Sequence, residues 1–136
     1  MPSLRSSLFG ARLTATAHCD LPCGVYDPAQ ARIEAESVKA IQEKFQENDD
    51  PVFRERAIEI KEQRSDLVKH HLWVLWTDYF KPPHFEKYPQ LHQLFNDATK
   101  LAGAGGTKGS TDPATADALL AKIEDISKIF WETKQG

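Results

Sequence analysis

Cys19 and Cys23 are the only two cysteines in the chain, and they stand three residues apart in the run His18-Cys19-Asp20-Leu21-Pro22-Cys23-Gly24-Val25-Tyr26. A disulfide between them would close a very small loop and tie nothing distant together, so it has little value as a fold staple. A close cysteine pair in an otherwise cysteine-free protein points instead to a metal or redox site. Cysteine binds metal as the soft thiolate, and two thiolates seldom complete a site. His18 can add its imidazole. If the chain is cut between Ala17 and His18, the new α-amine is a further donor, and the Cys19 amide nitrogen between amine and thiolate can deprotonate and bind as well. Amine N, amide N and two S atoms would then define a plane, with the imidazole above it. Planar N,S donation suits Ni(II) or Cu(II), whereas Zn prefers a tetrahedron. Strong anionic donors also stabilise a higher oxidation state, so a nickel ion held this way can cycle while zinc cannot. Pro22 restricts the turn between the sulfurs, a cis bond before it is compatible with so tight a loop, and Gly24 relieves the exit.

The elements that position this run follow from punctuation and periodicity. The leading residues, Met1 to Ala17, carry Arg5 and Arg12, no acid, and many Ser, Thr and Ala. Ala15-Thr16-Ala17 resembles a small-residue cleavage site, but Arg12 interrupts the only apolar stretch, so a cleaved cytoplasmic pro-segment fits better than a secretory signal. A tail that simply stays attached is the plain alternative. Beyond it, three Asp-Pro pairs, Asp27-Pro28, Asp50-Pro51 and Asp112-Pro113, combine a good helix N-cap with a good first helical residue. Helices are predicted over Pro28–Asn48, Pro51–Phe80, Pro89–Ala102 and Pro113–Thr133. Their apolar faces are read as Ile33, Ser37 or Val38, Ile41 and Phe45; Phe53, Ala57, Ile60, Leu67, Val68, Leu72, Leu75 and Tyr79; Leu91, Leu94, Phe95, Ala98 and Leu101; and Ala116, Leu119, Leu120, Ile123, Ile126, Ile129 and Phe130. Lys81-Pro82-Pro83 ends the second helix. The glycine-rich 103–110 stretch lacks the Lys-Ser/Thr ending and preceding strand of a phosphate loop and reads as a flexible linker. The expected fold is all-α, an antiparallel up-down four-helix bundle of one domain (27–136) carrying an N-terminal metal-binding hook (18–26) behind a leader (1–17).

Composition removes several classes. The chain has 136 residues, a formal net charge of −3 and 27% charged residues, with Lys and Arg interleaved among acids, so no basic block for nucleic acid exists. No stretch approaches the roughly 20 apolar residues that span a bilayer. His70, His71, His84 and His92 lack the spacing of metal ligands. Trp73, Trp76 and Trp131 exceed what one small core holds easily, so some are expected at subunit contacts.

The hook resembles that of the nickel-containing superoxide dismutases at every position. The likeness continues through Asp27–Glu36, Ile60-Lys61-Glu62-Gln63-Arg64, Trp76–Tyr88 and Lys128–Lys134, and so covers essentially everything after the leader. It implies a mononuclear nickel centre, one ion per subunit, cycling between Ni(II) and Ni(III) and disproportionating superoxide to dioxygen and hydrogen peroxide, an antioxidant oxidoreductase. By resemblance the metal ligands are His18, Cys19 and Cys23. Tyr26 gates the open face of the metal and Asp20 orders the hook. Glu34 and Arg64 hold the axial imidazole, an outer-partner role, and Tyr79 and Lys81 lie near the entrance. The resemblance also implies a cytoplasmic homohexamer whose leader is removed by a processing peptidase, with superoxide as substrate and neither nucleic acid nor membrane as partner. Net negative charge repels an anionic substrate at long range, so a local positive patch is required, with Lys81 as one contributor. Two rival readings remain on residues alone: a Ni or Cu carrier, and a reversible thiol-disulfide switch at Cys19 and Cys23.

Overall fold

The computed structural model describes residues 24–135. The leader and His18, Cys19, Asp20, Pro22 and Cys23 lie outside the described residues. Five α-helices follow: α1 Ala29–Glu47, α2 Pro51–Val74, α3 Pro82–Lys87, α4 Leu91–Leu101 and α5 Pro113–Gln135, with a π-helical turn, Leu75–Tyr79, continuing α2. There is no strand among the described residues.

Each Asp-Pro pair starts a helix as the sequence predicts. Asp27 Oδ1 accepts the Ala29 N–H at 2.8 Å, Asp50 Oδ2 that of Phe53 at 3.2 Å, and Asp112 Oδ1 that of Ala114 at 2.9 Å. These bonds satisfy donors that a helix start leaves without intrahelical partners. Contacts between helix ends fix the direction of the four long elements. Arg54 near the start of α2 lies over the Phe45 ring near the end of α1. Gln42 late in α1 bonds Thr115 early in α5. Trp76 after α2 stacks on Phe95 of α4, and Tyr88 before α4 bonds Glu132 late in α5. The long helices are therefore antiparallel neighbours in up-down order, around a core that includes Leu72, Leu91, Phe95, Leu119, Ile123, Ile126 and Phe130.

Four expectations need correction. The inward face of α1 is Ala31, Ala35, Val38 and Gln42, while Ile33 is 53% exposed. Both stripes have helical spacing. The alanine stripe allows close approach of the helices, and a reading weighted to large side chains selects the other. On α2, Leu67 faces outward whereas Lys61 and Ser65 are buried. The second helix also does not stay α-helical to Phe80. The Phe80 N–H bonds Leu75 O, five residues back, at 3.0 Å, which is a π turn. Pro82-Pro83 then begins a helix as well as ending one, with His84 Nδ1 accepting the Lys81 N–H at 3.0 Å.

The 103–110 segment is a built turn and not a flexible linker. A Cβ on Gly106 would lie 1.9 Å from Leu101 O, so only glycine fits there. Thr107 is fully buried and shares a 2.8 Å hydrogen bond with Ser65. The Lys61 ammonium, on a residue 3% exposed, donates to the carbonyls of Lys108 at 2.8 Å and Ser110 at 2.9 Å. Lys61 thus joins α2 to the turn that delivers α5.

Lys61→Met keeps the stem and removes both donors. Ser110 O keeps its bond from Gln42 Nε2 at 3.1 Å, but leaving the half-buried Lys108 carbonyl without this donor costs about 1–3 kcal/mol, so a lower urea midpoint with an unchanged slope is expected. Burial lowers the Lys61 pKa from 10.5. Between that lowered value and 10.5 the unfolded chain binds more protons at this residue, so its contribution to stability rises with pH in that window. The advantage of the unaltered chain over Lys61→Met should therefore widen as pH is raised through the window, read by urea unfolding at a pH on each side of it.

Candidate metal centre

One end of the bundle gathers the start of α1, the π turn, α3 and the end of α5. Gly24, within the hook and the first described residue, has φ +74°, a backbone region that glycine enters without penalty. That conformation suits the relief expected of a glycine directly after Cys23. Two residues on, half-buried Tyr26 lies with its ring 5.6 Å from that of Tyr79. Tyr79 itself rests 4.4 Å from Phe130 and 4.9 Å from Phe80, and stacks on His84 at 5.9 Å. Its hydroxyl is 2.7 Å from Thr133 Oγ1. The π turn carries Tyr79 into this aromatic cluster.

An open recess of about 580 Å³ lies beside Tyr26, with Gly24, Ile33, Trp131 and Lys134 among its lining residues. The Lys134 ammonium is 5.3 Å from the Tyr79 ring centroid. Lys81, also exposed, folds back so that its amine donates to Asp78 O at 2.9 Å. Lys134 and Asp27 both line the recess and Lys81 stands at the same end, so two cations and a carboxylate attend this part of a net-negative chain. Tyr88 is fixed nearby by a 2.6 Å bond to Glu132, whose carboxylate raises the phenol above its usual value.

Glu34 and Arg64 meet across α1 and α2. Arg64 Nη1 lies 3.3 Å from Glu34 Oε1 and 3.2 Å from Oε2. The Glu34 side chain is 17% exposed and that of Arg64 44%. A pair this open contributes little to stability. Its value lies in holding a carboxylate in one place.

Among the described residues, no three His, Cys, Asp or Glu side chains come together to hold a metal. The run 18–23 carries one histidine and two cysteines, and soft sulfur with nitrogen suits nickel. The structure thus joins Tyr26 to Tyr79 and Glu34 to Arg64. It places Lys81 at the same end and leaves His18, Cys19, Asp20, Pro22 and Cys23 undescribed. Sequence reasoning assigned no role to Thr133 or Lys134. Their only signal is that the closing run Lys128–Lys134 shares the family resemblance.

The profile of the nickel-containing superoxide dismutase family matches residues 13–134. The chain belongs to that family. The nickel superoxide dismutase of Streptomyces coelicolor is 67% identical over 131 residues, 96% of this chain and 98% of the relative. That of Streptomyces seoulensis is 65% identical over the same share of each. A native nickel superoxide dismutase structure at 1.30 Å superposes with a TM-score of 0.84 and 69% identity, covering 88% of this chain and 100% of the solved one. Another, with nickel ligation corresponding to the oxidised state, also has a TM-score of 0.84, at 68% identity. The chain is a superoxide dismutase with nickel as its cofactor, and its fold is the all-helical bundle of these structures. The carrier and switch readings yield to this assignment. No helix of the described residues is long and apolar enough to cross a membrane.

Proposed function

We propose that His18 is the working N-terminus of this dismutase. Its α-amine and imidazole, the amide nitrogen and thiolate of Cys19 and the thiolate of Cys23 would hold nickel. The observation that carries this reading is the donor chemistry of 18–23, which in the sequence directly precedes a bundle end built around Tyr26. When bound, nickel supplies the one-electron exchange that lets one superoxide leave as dioxygen and a second, with two protons, leave as hydrogen peroxide.

The remaining tasks fall to the chain. Pro22 restricts the turn between the cysteines and Asp20 orders the hook. The Glu34–Arg64 pair holds the His18 imidazole, since a carboxylate fixed by a cation is a directed acceptor for a ring N–H. Tyr26, backed by the Tyr79 ring, screens the metal's open side and limits what reaches it. Lys81 and Lys134 draw the anion toward the recess. The protein works in the cytoplasm, where two thiols stay reduced, after a peptidase removes the leader. It assembles as a homohexamer, which would cover apolar side chains such as Trp73 and Trp131, now 45% and 46% exposed.

Intact mass and metal content of protein from its own cell test the reading. A mass lacking residues 1–17 with one nickel per chain is expected. A mature form given one extra residue before His18 should keep its helical circular dichroism and lose dismutase activity. Full activity in that form would exclude the amine as a ligand.

A further inference from the structure

We infer that Thr133 is a positioning residue that sets the hydrogen-bond polarity of Tyr79, so that this phenol, on the ring packed beside Tyr26, is left as an acceptor toward any further partner. The inference rests on the reading that the Tyr26 side of the recess faces the metal. A threonine hydroxyl carries one hydrogen. Thr133 Oγ1 lies 2.6 Å from Phe130 O, and a carbonyl can only accept, so that hydrogen is committed to Phe130. This is the back-bond a helical threonine readily makes to a carbonyl three residues earlier. The 2.7 Å contact between Thr133 Oγ1 and the Tyr79 hydroxyl must then have Tyr79 as its donor. The phenol hydrogen points to α5, and only lone pairs remain for any water or hydroxyl approaching Tyr79.

The rest of the cluster holds this arrangement. Phe130 meets Tyr79 through its ring at 4.4 Å and terminates the relay through its carbonyl. Lys134, adjacent to Thr133, sets an ammonium 5.3 Å from the same tyrosine ring. One turn of α5 therefore fixes both the polarity of the phenol and a cation beside it. Tyr79 is consequently not the group that surrenders a proton toward peroxide. Any hydroxyl or water that bonds this oxygen must do so as the donor, and the phenol would orient it.

The test uses the nickel-loaded enzyme with Thr133→Val, which keeps the shape and removes the acceptor, and Thr133→Ser, which restores it. The tyrosine Fermi doublet in the ultraviolet resonance Raman spectrum distinguishes donating from accepting phenols. We expect Thr133→Val to shift the doublet away from the donor ratio and to lower kcat severalfold with KM unchanged. Thr133→Ser should return both, and the Raman difference should vanish in a Tyr79→Phe background. An unchanged doublet in Thr133→Val would refute the polarity. A changed doublet with unaltered kcat would refute its part in the reaction. Equal losses in the Val and Ser variants would reduce Thr133 to a packing role. The Raman arm is independent of activity, so loss of dismutation in the unaltered chain would count against the underlying reading of the site and not against the polarity.

Discussion

Cys19→Ser and Cys23→Ser are each expected to bring dismutation to background while the helical circular dichroism stays that of the unaltered chain. Replacing an outer partner of a metal ligand typically costs about 10–100-fold. Removing a ligand should cost more, because a serine hydroxyl is hard, stays protonated near neutral pH and does not replace a thiolate as a donor to nickel. The loss should be in metal content as well as rate. The described bundle contains no second group able to take the ion over. Thermal unfolding of the apo protein should hardly move, since both positions precede α1 and the core is built from α1, α2, α4, α5 and the segment around Phe80. A serine variant that retains one nickel per chain and full activity would remove these sulfurs from the ligand set.

Phe130→Ala is expected to cost about 3–5 kcal/mol, the range for truncating a buried aromatic. That is a large share of a stability that for a single domain amounts to roughly 5–15 kcal/mol. Phe130 is fully buried, and its ring meets Tyr79 at 4.4 Å and Trp131 at 5.0 Å. The void would open directly behind Tyr79, so activity should fall beyond what the unfolded fraction explains. Phe130→Leu, which refills part of the space, should recover most of the stability and less of the rate. Urea unfolding at fixed protein and nickel concentration measures the first quantity, because any binding to the native state shifts the midpoint. Steady-state dismutation of the folded fraction measures the second. Equal stability in the alanine and unaltered chains would mean that the space closes without cost.

The chemistry and the broad fold were legible in the sequence because both rest on local signals. The hook is a run of nine residues. The helix starts are Asp-Pro pairs whose carboxylates cap the adjacent turn whatever the tertiary context. What could not be read depends on approach between elements. The α1 face was misjudged because Ala31 and Ala35 bury little area each and gain their role only when another helix comes close. The 103–110 turn looked like a linker because glycine marks both flexible chain and tight packing. Only the carbonyl of Leu101 beneath Gly106 distinguishes them. Lys61 carries no signal of its own in the sequence and is a buried clamp, identifiable only once the carbonyls of Lys108 and Ser110 are in place. Thr133 belongs to no motif of its own. Its importance arises from a tyrosine more than fifty residues earlier in the chain.

The wide turn at Leu75–Tyr79 makes chain length matter there more than side-chain identity. Each residue of an α-helix advances the azimuth by about 100°. A one-residue deletion that returned this stretch to regular pitch would remove the extra residue the i→i+5 turn holds and change the azimuth at which Tyr79 leaves the helix, carrying its phenol away from α5. Among dismutases of this kind, gaps should be excluded from these five positions even where their residues vary.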